Sequence, residues 1–123
     1  SLPGTGTATF TPAGGGNLGN VSGSIAADFQ LRTVALNNLG FTIDGLSFSG
    51  LQGTATMRPG ALSGLFNGNY TAGSCAGCTG FLPNASSYAG NFLGRNADGL
   101  LFSTTLATEG ATKGGVTVLK KGP

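Results

Sequence analysis

Between Tyr88 and Phe102 the chain sets large rings beside residues with no side chain. Tyr88, Gly90, Phe92 and Gly94 fall at every second position, and in a strand such positions share one face. After the polar turn Arg95-Asn96-Ala97-Asp98 comes a second apolar run, Leu100-Leu101-Phe102, so the stretch reads as a β-hairpin. The pattern recurs upstream, where Leu62, Gly64, Phe66, Gly68 and Tyr70 oppose Ser63, Leu65, Asn67, Asn69 and Thr71. A face built of rings and bare backbone bends. Glycine lets the backbone coil and approach closely, and a neighbouring aromatic covers the gap it leaves.

The rest of the chain allows no other class. Two-residue alternation recurs throughout, whereas no long window places apolar residues at the i, i+3, i+4, i+7 spacing of a helix. The 24 glycines lack a three-residue period and only 5 prolines accompany them, which excludes collagen. With 39% hydrophobic and 8% charged residues the chain has core material and lacks the signature of disorder. Its 123 residues suit one domain, 1–123. The start at Ser1 without Met suggests a domain excised from, or processed out of, a longer exported protein.

In chain order, Thr5–Thr11 alternates and then meets Pro12 and Gly14-Gly15-Gly16, a strand and a loop. Val21–Phe29 and Thr33–Leu39 form a hairpin. Phe41–Ile43 and Leu46–Ser49 flank Asp44-Gly45, which makes either a type I′ hairpin turn or a bulge in one long strand. Thr54–Met57 ends at Pro59-Gly60, suited to a type II turn. Thr71–Ser87 is the longest irregular connection, and Val116–Leu119 supplies the last strand. The sum is an all-β fold: a small antiparallel up-and-down β-barrel of roughly eight strands, closed around packed side chains.

Chemistry has few places to hide. With no histidine the chain lacks the usual general base and the commonest metal ligand, and no cofactor or metal site is expected. Asp44, Asp98 and Glu109 sit at turns beside glycine, and Asp28 lies in a strand on its solvated face. Gly4-Thr5-Gly6 and Gly60–Gly64 precede no helix and carry no P-loop lysine. The net charge of +2 comes from scattered Arg32, Arg58, Arg95 and Lys113 plus Lys120-Lys121, with no stripe for nucleic acid. No apolar run reaches the roughly 20 residues of a membrane helix. Without Trp, and with strand candidates shorter than the roughly 9–11 residues of an outer-membrane span, a transmembrane barrel is set aside.

Cys75 and Cys78 have the spacing of a redox motif, but they lie in a Gly-rich loop and not at a helix start. A structural disulfide in an oxidising compartment is preferred. Asn20, Asn69 and Asn84 head glycosylation tripeptides that matter only in a glycosylating host. The loop Thr71–Ser87 is the functional expectation: an exposed excursion stapled by Cys75–Cys78, presenting Tyr70, Phe81, Leu82 and Tyr88 to a protein partner at one barrel end. The competing reading is that Phe81 and Leu82 plug that end.

The central hairpin also carries a family resemblance. Gly90, Phe92, Gly94 and Ala97, then Gly99 and Phe102, resemble the Gly-x-Phe-x-Gly-x-x-Ala and Gly-x-x-Phe signature of barrel domains in transferrin-binding protein B-like bacterial surface lipoproteins. Gly23–Phe29 with Arg32-Thr33-Val34 resembles the strand pair that opens such barrels, and Gly4–Phe10 their leading strand. Related barrels also stand at the C-terminal ends of FecR-domain exported proteins. The resemblance implies a non-enzymatic binding module of a Gram-negative bacterium, at the cell surface, periplasmic or secreted, tethered to the membrane through a parent protein if at all. The rival functions are a barrel carrier of a small apolar ligand and a thiol oxidoreductase acting through Cys75 and Cys78.

Overall fold

The computed structural model describes residues 6–58, 64–94 and 96–122; the Gly4-Thr5 start, the Pro59-Gly60 turn, Leu62, Ser63 and Arg95 lie outside them. The chain forms β1 (Thr7–Gly14), β2 (Gly19–Asp28), β3 (Thr33–Ile43), β4 (Leu46–Thr56), β5 (Leu65–Asn69) and β6 (Ala72–Ala76). A 3₁₀ turn (Pro83–Ala85), β7 (Ser87–Leu93), β8 (Gly99–Thr108) and β9 (Ala111–Lys121) follow. All pair antiparallel in one sheet of order β5-β7-β8-β9-β1-β2-β3-β4-β6.

The two end strands share a neighbour. β6 pairs with β4 as Ser47↔Ala76, Phe48↔Cys75, Ser49↔Ser74 and Gln52↔Ala72, and β5 meets the far end of β4 through a Met57↔Phe66 bridge. Thr71 N–H donates to Gln52 O at 2.9 Å and Arg58 N–H to Leu65 O at 2.9 Å, so β5 and β6 follow one edge of β4 as a single interrupted strand. Counted this way the sheet curls into a barrel of eight strand positions, the number at which side chains fill the interior. Among the described residues the wall is open beside β6, because β7 starts at Ser87 and pairs with β5 on that side.

Three adjacent strands change phase at nearly the same height. The inward residues of β3 are Val34, Leu36, Leu39, Phe41 and Ile43, and those of β4 include Phe48 and Leu51; the three-residue steps mark register shifts between Leu36 and Phe41 and between Ser49 and Gln52. Asn38 and Gly50 there have φ of 52° and 63°. On β2 shifts fall between Gly19 and Ser22 and between Ser22 and Ser24. Such bulges sharpen the twist and help close a barrel. They also explain why strict alternation ended β3 at Leu39 and split β4 in two.

Asp44 and Gly45, at φ 49° and 80°, join β3 to β4 as a two-residue hairpin turn, which settles the alternative that the sequence left open. Asp28 ends β2; its Oδ1 accepts the N–H groups of Gln30 (3.0 Å) and Leu31 (2.9 Å) and so shapes the β2–β3 turn. The first half of β9, rich in Gly and Thr, carried no apolar alternation and was missed.

Rings fill the interior. Phe10, Phe29 and Phe66 surround Phe92 at centroid distances of 5.4, 5.5 and 5.6 Å. Tyr88 lies between Tyr70 (5.1 Å) and Phe102 (6.0 Å). The glycines make this possible. Gly90 pairs with Phe66 and Gly68 with Tyr88; a Cβ on Gly90 would strike the Phe66 ring, and one on Gly68 would sit 2.7 Å from the Tyr88 hydroxyl. Outward positions across β1–β4 carry Thr7, Thr9, Thr33, Thr54 and Thr56, the reverse of the apolar outer band of a lipid-spanning barrel. Among the described residues no helix is long and apolar enough to cross a membrane.

Candidate functional site

At one mouth of the barrel gather the β1–β2 turn, the Asp44-Gly45 turn, the β8–β9 turn and the connection from β6 to β7. The expected excursion Thr71–Ser87 is corrected here, because Ala72–Ala76 is a strand and the remainder is held to the wall. Where β7 does not reach, the connection takes its place against β8. Leu82 N–H donates to Ala107 O at 2.9 Å and Glu109 N–H to Thr79 O at 2.9 Å. Ser86, fully buried, donates its hydroxyl to Leu82 O at 2.8 Å and accepts the Ala107 N–H at 2.9 Å. It thereby satisfies backbone groups that the missing strand would have paired.

Cys75 and Cys78 are bonded, with Cα atoms 5.6 Å apart. Both are half-buried and pack against the core. Cys75 lies within β6, one residue before its end, and neither cysteine stands at a helix start, where a thiol would be activated.

Of the four residues expected at a partner surface, the structure separates two from the others. Tyr70 and Tyr88 are 1% and 2% exposed and belong to the interior, a correction whose reason is strand phase: each continues the inward face that carries Phe66 or Phe92. The Tyr70 hydroxyl lies 2.6 Å from Thr104 Oγ1, which donates to Ser87 O at 3.0 Å, so Tyr70 donates to Thr104. Burial, with a smaller push from Tyr88, raises the Tyr70 phenol far above its ordinary range against the opposing effect of the Thr104 hydrogen bond. Burial raises Tyr88 as well, and its hydroxyl has no hydrogen-bond partner among the described residues.

Phe81 and Leu82 divide between the two readings offered for them. Phe81 is half-buried, its ring edge-on to Phe48 at 5.1 Å, and so closes the mouth. Leu82 is 53% exposed and stands beside it in solvent. Lys113, whose β9 position pairs with inward-facing Leu106, reaches across the mouth to Asp44 at 3.4 Å. Glu109 lies against Gly80. Sequence reasoning missed Ser86, Thr104 and Lys113 as organisers of this end. Pro83 was the available sign for Ser86, since proline opens the 3₁₀ turn that Ser86 follows.

The mouth therefore offers one exposed leucine on a rigid base, flanked by carboxylates. Among the described residues no three of His, Cys, Asp and Glu gather to hold a metal. The central hairpin behaves as its pattern requires: Phe102 pairs with Gly90, and Ala97, fully buried at φ 54°, turns the chain after Gly94. No family model matches the sequence, and no curated protein does. Among solved structures the fold is similar to a crystal structure of the vaccine antigen Transferrin Binding Protein B, a Trp-176-Ala mutant, from Haemophilus parasuis Hp5. The TM-score is 0.60 at 14% identity, over 99% of this chain and 28% of the other. At that identity the likeness is one of fold, and this chain spans about a quarter of the other's length.

Proposed function

We propose that the chain is a non-enzymatic protein-binding module of an exported Gram-negative bacterial protein, acting through the mouth that carries Leu82. The observation that carries this reading is the likeness, over 99% of the chain, to part of a protein named for binding another protein. Two further features support it. The connection bearing Leu82 is pinned at Thr79, Leu82 and Ser86, so little ordering entropy opposes binding. The Cys75–Cys78 bond fits an exported protein.

The rival functions draw less support. A carrier needs an empty interior, and here the inward positions are occupied by contacting rings. Thiol exchange needs an activated cysteine, and neither sulfur stands at a helix start. The test is to immobilise the protein, expose it to host serum and to cell-envelope extract, and repeat with Leu82→Asp. The reading expects capture of a protein that is lost in the variant while its circular dichroism and Tm stay unchanged. No capture, or capture indifferent to Leu82→Asp, contradicts it. Catalysed insulin reduction would move the function to the cysteines.

A further inference from the structure

The charges that looked scattered along the chain sort by barrel end. At the mouth opposite Leu82 meet the β2–β3 turn, the end of β4, the β7–β8 turn and the end of β9. Four described cations belong there, Arg32, Arg58, Lys120 and Lys121, against the two carboxylates of Asp28 and Asp98. At the Leu82 end stands one cation, Lys113, against Asp44 and Glu109. The barrel is thus electrically polar along its axis. Two of these cations are held by the fold: Arg32 Nη2 donates to Arg58 O at 3.2 Å, and Lys121 Nζ donates to Asn96 O at 2.8 Å and lies 3.6 Å from Asp98. Next to Arg32 in the chain stands Leu31, 70% exposed on the turn that the Asp28 carboxylate holds.

We infer that this basic mouth, with Leu31 at its tip, docks on the surface of an anionic phospholipid bilayer. Opposite charge draws cations to such a surface, and an exposed leucine adds apolar area that enters the interface. An acidic protein is the lesser fit because of how the charges are spread. β9 and β4 are four positions apart in a ring of eight, so the lysines and the arginines stand on opposite walls. A pattern that wide suits a plane of charge. This surface is independent of the proposed partner site and leaves that site facing away from the bilayer.

The test is sedimentation of the protein with vesicles of phosphatidylcholine alone and of an equal mixture with phosphatidylglycerol. Binding is expected to the mixed vesicles only, and to be lost when salt shortens the Debye length to about 3 Å. Arg58→Glu with Lys120→Glu should weaken it about tenfold or more, and Leu31→Ser severalfold. Asp44→Ala, at the far mouth, should leave it unchanged. The inference is overturned if wild-type protein ignores the mixed vesicles or if the charge-reversed variant binds equally well. It is also overturned if polyglutamate displaces the protein as readily as lipid binds it while Leu31→Ser has no effect, since the surface would then take an acidic polymer.

Discussion

Single residues carry this fold in an unusual way, since the absence of a side chain at Gly90 and Gly68 does as much as the rings opposite. Gly90→Val should destabilise the protein by about 1–3 kcal/mol, the typical cost of overpacking, because the added atoms meet Phe66. Gly114→Val should change little, since the space there is open apart from Thr104 O at 3.7 Å. Thermal melts followed by circular dichroism compare the two. The tyrosines make a second contrast. Tyr70→Phe should cost about 1 kcal/mol by deleting the hydrogen bond to Thr104, whereas Tyr88→Phe removes a hydroxyl with no partner and should be neutral or stabilising. Because burial raises both phenols, their contribution is fully present below the unfolded-state pKa of about 10 and is lost as pH rises above it. Urea unfolding at rising alkaline pH should show that fall, and Tyr70→Phe should flatten it.

At the scale of elements, alternation was enough to read the central hairpin, the pairing of β2 with β3 and the inward face of Phe66 and Phe92, while the choice between a turn and a bulge at Asp44-Gly45 needed the structure. What it missed has physical causes. Bulges reset the phase, so β3 ran past Leu39, and a strand of Ala, Gly, Ser and Cys such as β6 shows no hydrophobic period to find. The error over Tyr70 and Tyr88 came from treating them as loop residues although the alternation had already turned them inward. The β6–β7 connection gives a prediction of its own. Its shape rests more on Ser86 than on the disulfide, because the ring closed by Cys75 and Cys78 is short and its stabilising effect small. Cys75→Ser with Cys78→Ser should leave Tm nearly unchanged. Ser86→Ala should cost about 1 kcal/mol by leaving the half-buried Ala107 N–H without its partner, and amide exchange at Ala107 should quicken.

For the molecule as a whole, the all-β barrel class was legible in the sequence, while the site was legible only in part. Leu82 could be named from its loop, but its separation from Phe81, and the gathering of four of the described cations at the opposite mouth, depend on which turns the sheet order brings together. The central functional claim is that the mouth that carries Leu82 on its wall meets a protein partner. Hydrogen exchange of the protein with and without its captured partner tests this most directly, since protection maps the footprint residue by residue. The account predicts slowed exchange in Cys78–Ser86 and around Gly45 and Gly110. Protection confined to the outer face of β1–β4, or to the mouth that carries Leu31 and Arg58, would contradict it.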